Sequence, residues 1–380
     1  MSLDVFRGAT IAAMMLVNNP GDWGSVYAPL KHAPWHGWTF TDLIFPFFLW
    51  IVGMAIPLSI SRRLEGGASR AQLFSHAVRR ACIIFALGFF LNSFGYLVDG
   101  SLFRGGFSEW LRHYLTTVRV PGVLQRIAIC YLAAIGIYLC GGIRAQWAAL
   151  ATLLLGYWLM MTVVPVPGHG PGVLEKEGNL SQYIDNLVMN RPAIGTHVYE
   201  GSKIYDPEGV LSTLPAIGTC IFGVLAGMLL QASKTREEKT AWMFTGGAAL
   251  LWAGQLFNLV FPINKEIWTS SYTVFMAGMA MTCFACCYWL VDIQGWKKFP
   301  RPFAIYGMNA ITVFVLSGML GRLAVEIRVG ESALKTWLFK NSFGMIPDPR
   351  LASLCWALMW VLLLYGVAWA MHRRKWFVRF

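Results

Sequence analysis

The sequence predicts an all-α, polytopic membrane protein with about ten transmembrane helices and both termini cytoplasmic. Three observations carry this. Of 380 residues, 56% are hydrophobic and 13% charged, a composition outside that of ordinary soluble domains. Apolar runs of bilayer-spanning scale recur along the whole length. In lipid each such run must satisfy its own backbone hydrogen bonds, which selects helices. The basic residues, finally, fall in alternate loops. One set holds Arg62, Arg63, Arg70, Arg79, Arg80, Arg144, Lys234, Arg236, Lys239, Lys297, Lys298, Arg301 and the tail Arg373-Arg374-Lys375. The opposite set carries Asp22, Asp42, Asp99, Glu175, Glu177, Asp185, Asp206 and Glu208. Basic loops mark the cytoplasmic face, so topology accounts for the net charge of +12 without a nucleic-acid partner.

The ten expected spans are Val5–Val17, Leu43–Ile60, Ala81–Val98, Pro121–Cys140, Gln146–Val164, Val210–Gln231, Ala241–Phe261, Tyr272–Val291, Phe303–Gly321 and Leu351–Met371. They form one domain over 1–380, interrupted by a long periplasmic loop at 165–209. The first run is only about 20 Å of helix against a hydrocarbon core of about 30 Å. Either Asp4 is drawn into the membrane, paired with Arg7 at i+3, or Asn18 and Asn19 end in a recessed cavity. It shows no small-residue cleavage site of a signal peptide, and the abrupt start at Met1-Ser2-Leu3-Asp4 reads as a chain lacking a short leader. The second span contains Pro46 and Pro57, each of which frees a carbonyl. Pro121 opens the fourth span and sets Gln125 and Arg126 one turn inside the membrane, where an ionisable residue is expensive and marks function or a buried partner such as Asp42. The segment 165–209 is too long for a simple connection, and its tyrosines and carboxylates suit a polyhydroxylated or amine-bearing ligand. Asn258 and Asn309 are expected to bond between helices. All eight cysteines lie in apolar runs, so no disulfide framework is expected. Cys283-Phe-Ala-Cys286 has no second ligand pair and reads as packing, not as a metal site.

The chemistry is expected in Leu30-Lys31-His32-Ala33-Pro34-Trp35-His36-Gly37-Trp38-Thr39-Phe40-Thr41-Asp42, a stiff loop between the first two spans. It combines two histidines, able to take and give a proton near neutral pH, with a carboxylate. Trp and His also gather at bilayer interfaces for amphipathic reasons alone.

The set Ser2-Leu3-Asp4-Val5-Phe6-Arg7-Gly8, Val17-Asn18, Lys31-His32-Ala33-Pro34-Trp35 and Thr41-Asp42-Leu43-Ile44-Phe45-Pro46 resembles the heparan-α-glucosaminide N-acetyltransferase family, in particular its bacterial relatives. Pro121-Gly122-Val123-Leu124-Gln125-Arg126, Asp206-Pro207-Glu208-Gly209, Pro262-Ile263-Asn264-Lys265 and Gly307-Met308-Asn309 continue the resemblance across nearly the whole span region. It implies a transmembrane acetyltransferase of the bacterial inner membrane, moving acetyl from cytoplasmic acetyl-CoA to a glucosamine-type amine at the periplasmic side, without a metal. It places the active-site histidine on His32 and a neighbouring asparagine on Asn18. Asp42 then orients His32, while Arg126, Gln125, Asp206, Glu208, Asn264 and Asn309 are the expected acceptor contacts. Arg62, Arg63, Arg79, Arg80, Lys297, Lys298 and Arg301 are the expected donor contacts, their charge matching the CoA phosphates. A homodimer is compatible with this reading. The chain departs from the family in the Asn18–His32 loop, which is longer, and in lacking the large luminal N-terminal domain. A secondary transporter of sugars or amino sugars, coupled through Asp42 and Arg126, is the alternative.

Overall fold

The structure, a computed structural model, describes residues 1–100, 105–191, 194–201 and 204–378. The described chain is helical throughout, broken by two hairpins of two-residue strands. In order the elements are α1 (Ser2–Asn18), α2 (Phe40–Glu65), α3 (Arg70–Val98), α4 (Phe107–Thr117), α5 (Val123–Cys140), α6 (Ile143–Val163) and α7 (Leu180–Met189). The hairpin β1 (Asn190–Arg191) and β2 (Gly195–Thr196) follows, then α8 (Thr213–Gln231), α9 (Arg236–Phe257), α10 (Ser270–Tyr288), α11 (Arg301–Met308) and α12 (Ala310–Glu326). A second hairpin, β3 (Arg328–Val329) and β4 (Ser332–Ala333), precedes α13 (Leu334–Phe343) and α14 (Pro349–Arg373).

Nine of the expected spans each fall on one helix, and the tenth, Phe303–Gly321, is divided between α11 and α12. Seven helices (α2, α3, α5, α6, α8, α10 and α14) are long and apolar enough to cross a membrane, and the pair α11–α12, bent by 76°, makes an eighth if it is one span. Two expected spans lie outside this set. Helix α1 has 17 residues, and α9 dilutes its apolar run with Thr245, Gly246, Gly247 and Gln255. The long segment 165–209 is less irregular than its composition suggests, because it folds α7 and the β1–β2 hairpin within itself.

Helices α2 and α8 form the centre. Their backbones meet because glycine replaces a side chain on both faces: a Cβ on Gly53 would stand 1.8 Å from the Cys220 carbonyl oxygen, and one on Gly223 2.0 Å from that of Trp50. Small residues at such crossings let helices gain packing where lipid offers no hydrophobic drive.

The bundle has two chemically distinct ends. At one end the N-terminal amine lies 3.7 Å from Asp292, Arg236 donates to the Asp292 carbonyl at 3.0 Å, and Asn309 holds the segment after α14 through Trp376 and Val378. Arg63 and Arg80 reach a cavity at this same end, together with Arg7. The short α1 therefore starts here, with Arg7 paired to Asp4 at 3.1 Å. Some 26 Å further on, at 1.5 Å per residue, α1 delivers the chain to the opposite end. The His32 loop, α7 and most of the buried acids gather there.

Candidate active site

The His32 loop has little regular structure, yet it is fixed at several points. Thr39 Oγ1 donates to the Lys31 carbonyl at 2.5 Å, Trp35 Nε1 to the Leu174 carbonyl at 2.9 Å, and Gly37 N to the Ile263 carbonyl at 2.7 Å. Gly37 has φ +97°, a conformation that favours glycine. Asp42, in the first turn of α2, organises this loop. Its Oδ2 accepts from Ala33 N and Thr39 N, both at 3.0 Å, and lies 3.1 Å from Thr39 Oγ1. Its Oδ1 lies 2.6 Å from His32 Nδ1. Asp42 is 1% exposed, while the His32 side chain is 46% exposed. An ionised carboxylate only accepts, so Nδ1 carries a proton, and in the neutral ring Nε2 is the nitrogen left with a lone pair.

The carboxylate is anchored from below by the proline noted in the sequence. Pro46 lacks an N–H, leaving the Asp42 carbonyl without its helical donor. The Tyr272 hydroxyl, on α10, donates to that oxygen at 2.6 Å. A helix defect one turn past the carboxylate thus becomes the point where α10 fixes it.

A second cluster lies beside the first. Arg119 grips Asp206 through Nε at 2.8 Å and Nη2 at 2.6 Å, and Nη2 also bonds Glu208. Asp206 and Glu208 are therefore already engaged by a residue that sequence reasoning did not single out. Burial disfavours both charges. The Arg119, Arg126 and Lys265 cations hold Glu208 below the usual carboxylate range, whereas Asp206 stays above it. Lys265 is opposed by burial too, yet Glu266, Glu208 and Asp42 raise its pKa. Asp185, on α7, accepts from Val210 N at 2.9 Å and Asp206 N at 3.4 Å. Burial, helped by the Asp206 charge, pushes it up to about 7.

Arg126 does not pair with Asp42, as one expectation had it. The guanidinium is buried, donating to the Gly209 carbonyl at 3.0 Å and Ser212 Oγ at 2.5 Å, and it lies over the Trp268 ring. Its Nε and Nη1 are buried without hydrogen-bond partners.

The remaining expected residues separate by location. Asn18 and Gln125 line an outer cavity of about 480 Å³, together with Arg119 and Trp23. Gln125 is also bonded to the Val120 carbonyl at 3.0 Å. Asn264 is buried in a turn that bonds Thr269 and Ile267, and its amide nitrogen is 3.4 Å from His36. Asn258 serves its own turn, accepting from Ile263 N at 2.7 Å, instead of bonding between helices. Asn309 sits at the α11–α12 break, at the basic end and away from His32. Arg63 and Arg80 line an inner cavity, also about 480 Å³, with Arg7 and His76. Lys298 and Arg301 line a different cleft, while Arg62, Arg79 and Lys297 are exposed outside both walls. The inner and outer cavities share the walls α1, α3, α5 and α12, and are separated by roughly two helical turns or less on each. His32 stands outside the walls of both.

No family model matches the sequence. Over 362 residues it is 30% identical to the human protein named heparan-alpha-glucosaminide N-acetyltransferase, covering 83% of this chain and 52% of the human one. The chain is a distant relative of that family. The mouse protein of the same name is 30% identical over 363 residues, covering 82% and 52%. The chain thus spans about half the length of the curated acetyltransferases it matches.

Asp185 generates a test of the second cluster. Its folded pKa of about 7 lies above the ordinary value of 3.8, so the folded state binds the proton more tightly. Its contribution is fully present below about pH 4 and is lost as pH rises through about 7. Thermal unfolding of Asp185→Asn and wild type should therefore diverge in favour of the variant as pH increases from 4 to 8. A constant difference across that range would contradict the raised pKa.

Proposed function

We propose that the chain is a transmembrane N-acetyltransferase that moves an acetyl group from acetyl-CoA to the amine of a glucosamine-type sugar, with His32 as the reacting base or acetyl carrier. The observation that carries this is the His32–Asp42 pair. A buried carboxylate fixes one imidazole nitrogen and leaves the other bare and accessible, which is the requirement for proton abstraction from an amine. Kinship with the acetyltransferases supplies the reaction class.

On this reading the acceptor amine gives a proton to His32 Nε2 and its nitrogen attacks the acetyl carbonyl carbon. The C–S bond breaks, and the CoA thiolate leaves and takes up the proton from the imidazolium. Asp42 stabilises that imidazolium through Nδ1–H. In the two-step variant Nε2 itself attacks the thioester carbonyl and expels the CoA thiolate; the amine then attacks the acetyl-imidazole, the C–N bond to Nε2 breaks, and the amine proton passes through Nε2 to the thiolate. Asn18, on the outer cavity wall, is the proposed donor to the carbonyl oxygen. Gln125 and Arg119 on the same wall are the proposed acceptor contacts. Asp206 and Glu208 hold Arg119 from behind, while Arg126 and Asn264 brace neighbouring segments, the one through Gly209 and Ser212 and the other through Thr269 and Ile267.

The inner cavity is the proposed donor entrance, with its basic end at the cytoplasm of a bacterial inner membrane. This places both termini on that side and makes all ten expected helices spans. The short separation between the cavities suits a donor bound at one end whose acetyl is consumed at the other. The transporter reading shares the two cavities but predicts no turnover of acetyl-CoA.

His32→Ala should lower turnover of acetyl-CoA with glucosamine by ~10²–10⁴ while donor binding persists, and His36→Ala should retain substantial activity. A folded His32→Ala protein turning over at the wild-type rate would remove the mechanism. For the donor, Arg63→Gln with Arg80→Gln should raise the KM for acetyl-CoA about tenfold or more, whereas Arg62→Gln with Arg79→Gln should change it less. Equal effects of the two pairs would detach the inner cavity from donor binding.

A further inference from the structure

Lys298 and Arg301 were expected beside Arg63 and Arg80, but they occupy a different place. They line a cleft of about 780 Å³ between α11 and α14, with Arg373 and Lys375 on its other side. Among the described residues no carboxylate forms its wall, and no ion pair engages any of these four cations. Four like charges facing one space repel each other unless an anion occupies it.

The rest of the wall has another character. Tyr365 and Trp369 lie on the apolar stretch of α14, and the Arg373 guanidinium lies 4.9 Å from the centre of the Trp369 ring. Trp369 is exposed on a helix long and apolar enough to cross the membrane. His372 also lines the cleft, and its Nδ1 is buried without a hydrogen-bond partner. The cleft thus grades from aromatic to cationic along α14, as a lipid grades from acyl chain to headgroup. A soluble anion needs only the cationic part. An amphiphile uses both.

We propose that this cleft binds an anionic phospholipid, its phosphate between Lys298, Arg301, Arg373 and Lys375 and its acyl chains along Tyr365 and Trp369. The segment after α14 makes the cleft adjoin the inner cavity, since Phe377 lines both.

The test uses the full chain in detergent micelles, with unfolding followed by tryptophan fluorescence during titration with phosphatidylglycerol. Phosphatidylglycerol should raise the unfolding midpoint, and phosphatidylcholine or inorganic phosphate at equal concentration should not. In Lys298→Gln/Arg301→Gln/Arg373→Gln the half-saturating phosphatidylglycerol concentration should rise on the order of 100-fold, three lost charges at roughly fivefold each. The charge-matched Arg70→Gln/Arg144→Gln/Arg374→Gln variant, whose residues lie outside the cleft, should stay within about threefold of wild type. The proposal is overturned if phosphatidylcholine or phosphate stabilises equally, if phosphatidylglycerol has no effect, or if both triple variants lose affinity alike. Should the cleft triple variant fail to fold, Lys375→Gln decides by native mass spectrometry. Retained phosphatidylglycerol should fall about fivefold, and unchanged retention would sink the site.

Discussion

The contact between His32 Nδ1 and Asp42 Oδ1 is the constraint from which the outer end of the bundle is built. A buried carboxylate without partners is costly, and one receiving several donors is tolerated. Asp42 is placed to receive three: His32, Ala33 N and Thr39 N. Each of these also shapes the loop, so meeting the needs of the charge and positioning the imidazole are one event. The capping box at the start of α2 ties the same carboxylate to the helix. Through Pro46 and Tyr272 it is tied to α10 as well.

Around this point the structure separates charge by end. At the His32 end, Arg119 is neutralised by Asp206 and Glu208 and Lys265 by its acidic neighbours, while Arg322 and Lys335 share the cavity wall with Glu326. At the basic end, Arg7, Arg63, Arg80 and His76 face a cavity to which Asp4 alone among the described residues contributes an acid. On the proposed reading this asymmetry sorts the substrates. A polyanionic donor is drawn to the basic end, and a sugar at the other meets amides, the compensated Arg119, and Arg322 and Lys335.

Much of this is legible in the sequence, and what is not has a common physical cause. Apolar runs locate the helices because hydropathy is local, although the run Phe303–Gly321 conceals the 76° break between α11 and α12. The His32–Asp42 pair is also readable, since ten residues of stiff loop bring them together. Arg119 was passed over because its partners lie 87 and 89 residues away, and nothing within its own segment marks it as more than a loop arginine. Tyr272 lies 230 residues from the carbonyl it caps, although Pro46 does announce that a carbonyl needs a donor. Arg126 stands out in the sequence as a charge in an apolar run and is buried in the structure, but its partners are a carbonyl and a hydroxyl, groups too common in sequence to be named in advance. The basic residues were treated as one field because the orientation rule groups them. The fold divides them between two cavities, and only packing makes that division.

The central claim is that Asp42 makes His32 Nε2 the reactive atom. Asp42→Asn tests it with minimal change of shape. Two backbone N–H groups, of Ala33 and Thr39, donate to one oxygen of the carboxylate, so the retained carbonyl oxygen of asparagine should face them and its NH₂ should face His32. The ring would then accept at Nδ1 and carry its proton on Nε2, where no base remains. Turnover of acetyl-CoA with glucosamine, measured in a variant that keeps wild-type donor affinity, should fall by ~10²–10⁴. A folded Asp42→Asn protein that turns over within about twofold of wild type would contradict the account.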